Sequence, residues 1–274
     1  MTRREKYRAF RLLHERTGAF VLPNPWNAGS ARILAAVGFE ALATTSAGYA
    51  FAVGRRDSTA ELTRQELLEN AGEIVAATDL PVSADLQNGF GSAPEVCAET
   101  IRLAAEAGLV GGSIEDATDD AEDPIYAFDL AVGRVAAAAR AAHDHEFVLT
   151  ARAENFLYGR ADLEDTIRRL QAFEQAGADV LYAPGLTDIE AIRKVCASVS
   201  KPVNVVMGLT GATYSVDELA ALGVKRISVG GSMARAALGA LLRAAREVKE
   251  QGTFTYASEA MSSAEATSYM LKGD

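Results

Sequence analysis

Four times the chain runs an apolar helical pattern into a glycine and then directly into a short apolar stretch: Ala36-Val37-Gly38-Phe39, Glu106-Ala107-Gly108-Leu109, Gln175-Ala176-Gly177-Ala178 and Ala221-Leu222-Gly223-Val224. A glycine there suits the left-handed residue that ends a helix feeding a strand. The repeat reads as successive βα units, which predicts right-handed crossovers around a parallel sheet. Eight strand candidates fit the rhythm, over 20–22, 41–45, 82–85, 112–115, 147–152, 180–183, 203–206 and 226–229. Eight is the count of a (β/α)8 TIM-type barrel, with an extra helix over 3–15 before the first strand.

Helix starts are marked by the Ser/Thr-x-x-Glu spacing at Thr63 with Glu66, Ser92 with Glu95, Thr187 with Glu190 and Ser215 with Glu218, and Leu163, Ile167, Leu170 and Phe173 form an apolar stripe. A helix follows the last strand from 232 to about 250, and a helical tail occupies 252–274, packing on its own barrel or on a neighbouring subunit. With 274 residues and 49% hydrophobic content, one barrel domain over 1–274 has apolar mass enough for its core.

A net charge of −10 argues against a nucleic-acid partner or an anionic membrane surface. Cys97 and Cys196 both fall within apolar helical patterns, which fits a reduced, cytoplasmic chain better than a disulfide framework. No apolar run approaches the length of a membrane span, and the first residues lack the apolar core of a signal peptide.

Three of the predicted strands end in charge. Asp85 closes one, Glu115 and Asp116 the next, and Arg152 with Glu154 a third, while Asp57 follows the second strand. Barrels keep their chemistry at the carboxyl ends of their strands. Several carboxylates at one mouth repel unless they share a cation or a proton, and an oxygen-only set suits magnesium; zinc is disfavoured because His14, His143 and His145 lie at no strand end. The spacing leaves two readings open, a metal site or a structural network in which these acids pair with Arg152. Arg152 can also hold a substrate carboxylate bidentately, opposite backbone amides of Thr44-Thr45-Ser46-Ala47-Gly48, a run that reads equally well as a plain turn. Glycines at Gly208, Gly211, Gly230 and Gly231 read either as turns or as a phosphate cradle.

In those stretches, with Gly54-Arg55-Arg56-Asp57, Ala84-Asp85-Leu86-Gln87-Asn88-Gly89-Phe90-Gly91, Ser113-Ile114-Glu115-Asp116 and Ala151-Arg152-Ala153-Glu154-Asn155, the chain resembles the isocitrate lyase and phosphoenolpyruvate mutase superfamily from about Leu22 to Ala240. The resemblance implies a barrel whose last helix is exchanged with a partner, giving a homodimer or homotetramer. It further implies Mg2+, with Mn2+ as a substitute, touched directly by Asp85, with Asp57 and Glu115 holding metal-bound waters. Thr45, Ser46 and Ala47 match the loop that takes the carboxylate of a small carboxylic-acid substrate, and Arg152 its arginine partner. The implied chemistry is cleavage or formation of a C–C or P–C bond beside a 2-oxo or 2-hydroxy acid through an enolate.

Departures narrow this. Gln87 stands where the family usually has a second acid in the metal's outer shell. The stretch 117–124 carries no Cys or His, so isocitrate-type and methylisocitrate-type cleavage is disfavoured, and Pro184 and Val206 replace polar residues near later strands. The acids Asp119, Asp120, Glu122 and Asp123 either form a lid that repels highly charged ligands or are a solvated loop. The expected activity is a Mg2+-dependent C–C lyase for an oxaloacetate-like acid, with a phosphonopyruvate mutase or hydrolase and a catalytically impaired acid-binding barrel as alternatives. Tyr126, Tyr158 and Tyr214 are candidate proton donors or packing residues.

Overall fold

The computed structural model describes residues 1–58, 61–118, 120–209 and 211–270. Helix α1 (Arg3–Glu15) precedes β1 (Phe20–Leu22), α2 (Ala28–Val37), β2 (Leu42–Ala43), α3 (Ser46–Ala52), α4 (Arg64–Ala77) and β3 (Val82–Asp85). Then come α5 (Pro94–Glu106), β4 (Gly111–Glu115), α6 (Phe128–Asp144), β5 (Val148–Arg152), α7 (Leu163–Gln175) and β6 (Val180–Tyr182). The chain continues through α8 (Ile189–Ser198), β7 (Val203–Val206), α9 (Val216–Ala221), β8 (Val224–Ser228), α10 (Ser232–Gln251) and α11 (Ser263–Met270). Every strand lies within two residues of its predicted bounds.

All eight strands pair in parallel in the order β1-β8-β7-β6-β5-β4-β3-β2, and Ala43 N–H donates to Pro23 O at 3.0 Å across the gap between β1 and β2. The fold is a (β/α)8 TIM-type barrel. The predicted glycine punctuation is present: Gly38, Gly108, Gly177 and Gly223 all have φ between 93° and 105°, a region that side-chain-bearing residues rarely adopt.

Two apolar clusters fill the structure. The larger joins the helices to the outer face of the sheet, through residues such as Leu86, Ile101, Phe147, Leu170 and Phe173. The smaller lies inside the barrel at its N-terminal end, where α1 inserts Phe10 and Leu13 against Phe20, Val110, Val148 and Val180. Close approach there requires glycine: a Cβ on Gly111 would stand 2.8 Å from Phe10 Cε1. With this end plugged, the opposite end is left for chemistry.

Two predicted helix starts need correction. Asp188, rather than Thr187, caps α8 by accepting from Ala191 N–H, and α5 begins behind Ala93 with no side-chain cap, Pro94 entering at the first turn. Proline there needs no amide partner, so Ser92 is not required as a cap. Helix α11 packs against α2, where Arg32 donates to Met270 O at 2.7 Å; residues 271–274 of the tail lie outside the described residues. Helix α10 fully buries only Ala234, leaving Leu238, Leu241 and Leu242 exposed. Among the described residues no helix is long and apolar enough to cross a membrane, and Cys97 and Cys196 are both free thiols.

Candidate active site

Strand register assembles the mouth. Glu115 on β4 lies beside Arg152 on β5, Arg152 lies beside Tyr182 on β6, and Asp85 closes β3 beside Ser113. These residues end their strands, so their side chains gather at one rim.

Arg152 is the hub. Its Nη1 stands 3.1 Å from Asp85 Oδ1, its Nη2 3.0 Å from Glu115 Oε2 and its Nε 2.8 Å from Glu154 Oε1. Three carboxylates on one guanidinium leave two negative charges uncompensated in a site where Glu154 is 1% exposed and Glu115 8%. Burial therefore pushes the Glu115 and Glu154 carboxyls up, with Arg152 opposing the shift and neighbouring acids adding to it. Burial works against the charged form of Arg152 too, but Glu115, Glu154 and Asp85 outweigh it and raise its pKa.

The loop after β2 shares in this. Ser46 donates to Asp85 Oδ2 from its amide at 3.2 Å and from its hydroxyl at 2.6 Å. Thr45 caps α3 by accepting from Gly48 N–H, and Thr44 Oγ1 accepts from Asp85 N–H at 3.0 Å. The Thr/Ser/Gly run is thus a strand end and helix start that already grips an acid. Asp57 lies on an exposed stretch of loop yet lines the same cavity, and packing around its carboxyl, then Asp85, pushes its pKa up against the pull of Arg152. Gln87 sits at φ 49°, donates weakly to Ser58 O at 3.4 Å, and leaves its Oε1 buried without a hydrogen-bond partner.

The structure brings Thr45, Ser46, Ala47, Asp57, Asp85, Gln87, Glu115 and Arg152 around one cavity of about 450 Å3. Its wall is completed by apolar Leu157, Pro184, Val206 and Leu209, by Tyr158 and Tyr182, and by Arg235 from the first turn of α10. Beneath it a chamber of about 70 Å3 reaches Asn204 and Arg226 in the barrel interior. Arg226 donates there to Asn204 Oδ1 at 2.8 Å and Thr150 Oγ1 at 2.9 Å, and burial lowers its pKa to about 10. A further cavity, about 510 Å3, opens at the N-terminal end around His14, Lys201 and Lys225, away from the carboxylates.

Glu154 belongs to the cluster although its place in the sequence, two residues past Arg152, was its only signal. Asp116 explains its position: Oδ1 accepts from Glu154 N–H at 2.8 Å, and Oδ2 pairs at 2.9 Å with Arg169, which also donates to Tyr126 O. Tyr126 packs under Arg134, with Cζ 4.1 Å from the ring centroid, and Tyr214 donates to Thr187 O, so of the three candidate tyrosines Tyr158 alone lines the cavity. Asp120, Glu122 and Asp123 are exposed and outside the cavity wall, with Asp123 held by Arg160 at 3.0 Å; Asp119, like Thr210 of the glycine-rich stretch, lies outside the described residues.

The donor chemistry fits a hard dication. Among the described residues no three His, Cys, Asp or Glu side chains close on one ion. The excess of negative charge around Arg152 and the orphaned Gln87 Oε1 suit such an ion and its waters.

A barrel that collects acids and an arginine around a cavity at the carboxyl ends of its strands has the build of an enzyme active site. The chain belongs to the phosphoenolpyruvate mutase/isocitrate lyase superfamily of lyases and mutases, since the family model described as phosphoenolpyruvate phosphomutase matches residues 10–249. It is 59% identical to a candidate lyase/mutase from Burkholderia cenocepacia J2315, whose crystal structure superposes with a TM-score of 0.96 over 99% of this chain and 98% of that one. It is 31% identical to an oxaloacetate decarboxylase of Pseudomonas fluorescens over 92% of this chain and 87% of that protein. The crystal structure of a 2,3-dimethylmalate lyase matches with 27% identity and a TM-score of 0.86, over 98% of this chain and 95% of that one.

Proposed function

We propose that the protein is a Mg2+-dependent lyase that cleaves a C–C bond of a small, oxaloacetate-like 2-oxo or 2-hydroxy dicarboxylate through an enolate. The observation that carries this reading is the charge imbalance at Arg152, where one guanidinium faces Asp85, Glu115 and Glu154. Asp85 would hold the ion directly, with Asp57, Glu115 and Gln87 holding its waters; Mn2+ would serve in its place. Bound there, the ion supplies charge stabilisation to the substrate oxygen on which electrons accumulate.

The chain's own groups do the rest. Arg152, whose Nη groups meet Asp85 and Glu115 at the cavity, would hold a substrate carboxylate in a fixed plane with those same groups if the two acids served the ion instead. Thr45, Ser46 and Ala47 line the same cavity from the β2 loop and the start of α3, where they would meet that carboxylate. Apolar Leu157, Pro184 and Val206 line the wall and exclude water from a reactive enolate. Tyr158, its phenol pushed up to about 12 by burial and then by Glu115 and Glu154, keeps its proton at neutral pH and offers an O–H for protonation of the product. The relatives named above support C–C chemistry on dicarboxylates, and the exposed leucines of α10 support association of copies through that helix.

Incubation with oxaloacetate and, separately, phosphonopyruvate tests the reading. Pyruvate released from oxaloacetate alone is the expected result; release from phosphonopyruvate alone would replace this reading with phosphonate hydrolysis.

A further inference from the structure

Burying a guanidinium without an acid beside it is costly, and the barrel interior holds one. Arg226 donates to Asn204 Oδ1 and Thr150 Oγ1, approaches His14 Nε2 at 3.5 Å, and among the described residues makes no ion pair with a carboxylate. Strand register explains what it meets. Tyr182 on β6, Asn204 on β7 and Arg226 on β8 lie side by side, and Ser228, two residues further along β8, shares the face of Arg226.

The chemistry of these groups sets the direction of their hydrogen bonds. A guanidinium only donates, so the Asn204 atom facing Arg226 Nε is the amide oxygen, and Nδ2 is turned to Ser228 Oγ, to which it donates at 3.0 Å. Ser228, accepting there, keeps its own hydrogen for the next polar group, the Tyr182 phenol, with which it is hydrogen-bonded. A phenol oxygen that accepts from Ser228 has its own O–H to give elsewhere. Tyr182 lines both the small chamber and the larger cavity, with Arg152 Cζ 5.2 Å from its ring centroid. Burial pushes its pKa up, so the hydroxyl keeps its hydrogen at neutral pH.

We propose that Tyr182 is a hydrogen-bond donor to the substrate carboxylate held at Arg152, and that Arg226, acting through Asn204 and Ser228, is the positioning residue that turns the phenol hydrogen toward the cavity. The inference rests on the enolate-acid reading above for the identity of that carboxylate. It also gives the unpaired interior charge a role, since an obligate donor at the root of the chain fixes which way the amide above it points.

Asn204→Asp separates direction from packing. Its carboxylate pairs with Arg226 and accepts from Ser228, so Ser228 accepts from Tyr182 and the phenol hydrogen is drawn back into the barrel, while the melting temperature holds or rises. Calorimetric titration of oxalate in Mg2+ buffer on the wild type, Tyr182→Phe, Asn204→Asp and the double variant reads the effect. Tyr182→Phe is expected to weaken oxalate by about tenfold, Asn204→Asp by a similar factor, and the double variant by no more than about twofold beyond Tyr182→Phe alone. Oxalate binding unchanged in Tyr182→Phe, or absent in the wild type, overturns the inference. Equal weakening by Asn204→Asp with and without the phenol overturns it too, as a charge effect that bypasses Tyr182, and so does an Asn204→Asp variant that melts well below wild type. Pyruvate release from oxaloacetate reports on the enolate reading separately: oxalate binding with the expected dependence but no pyruvate strikes that reading and leaves the inference standing, and turnover without the Tyr182 dependence does the reverse.

Discussion

Arg152 Nη1 stands 3.1 Å from Asp85 Oδ1, a pair that joins the end of β5 to the end of β3 across the barrel mouth. The same guanidinium holds Glu115 and Glu154, so it is both the clamp of the site and a competitor for any cation that enters. Removing it leaves buried acids without a partner. Arg152→Gln is expected to cost about 3 kcal/mol or more in metal-free buffer, by the usual penalty for breaking a buried pair. It should also enlarge the rise in melting temperature on adding Mg2+, because the acids are freed. Thermal melts with EDTA and with Mg2+ check both; an equal Mg2+ shift in wild type and variant contradicts the competition.

Glu154→Gln keeps an oxygen for Arg152 Nε but removes one charge. Glu115 and Glu154 have raised pKa values in the fold, so between the unfolded value, about 4.3, and the raised ones the native state binds more protons than the unfolded state. Their contribution to stability therefore falls as pH rises through that window. Chemical denaturation of metal-free protein across pH should show a shallower decline for Glu154→Gln than for wild type. Parallel curves would show that the charge is compensated elsewhere.

On the acid side the relevant group is His14. It is held by Phe10 O on Nδ1 at 2.8 Å and by Arg226 on Nε2 at 3.5 Å, and burial, then Arg226, lowers its pKa to about 3. Between that value and the unfolded value, about 6.5, the unfolded chain binds one more proton, so stability falls with falling pH by up to about 1.4 kcal/mol per unit. His14→Gln retains an acceptor for Arg226 and is expected to flatten this slope; denaturation midpoints from pH 7 to pH 4 read it out.

How much of this was legible in the chain depends on the range of the interaction. Gly38, Gly108, Gly177 and Gly223 announce their caps locally, because a positive φ is a property of one residue, and the strands follow from them. Asp85, Glu115 and Arg152 could be placed at one rim because each ends a strand. Glu154, read in the sequence with Arg152 as the charge at a strand's end, pairs with Arg152 directly and is held in place by Asp116, a partner 38 residues away that the sequence does not announce, while Arg235 reaches the cavity only by the geometry of α10 and is not marked in sequence. The caps of α5 and α8 went elsewhere because Pro94 and Asp188 satisfy those ends without the predicted Ser/Thr residues. The tail's choice between its own barrel and a neighbour had no local signal; α11 lies on α2.

Asp116 ties the β5 loop to α7 through Glu154 N–H and Arg169. Asp116→Asn keeps one acceptor but loses the charged pairing to a buried guanidinium, which should cost about 1.5–3 kcal/mol and lower kcat more than it raises KM. An unchanged melting temperature would show that Asp165 alone suffices for Arg169.

The central claim is that the acids at this mouth take a hard dication that bears the charge of bond cleavage. Pyruvate release from oxaloacetate, measured for wild type and Asp85→Ala with Mg2+ and with EDTA, tests it most directly. Turnover is expected to fall by about a hundredfold or more both on chelation and on substitution, with Mg2+ giving no rescue of the variant. Turnover that survives EDTA, or an Asp85→Ala variant as fast as wild type, would contradict the account.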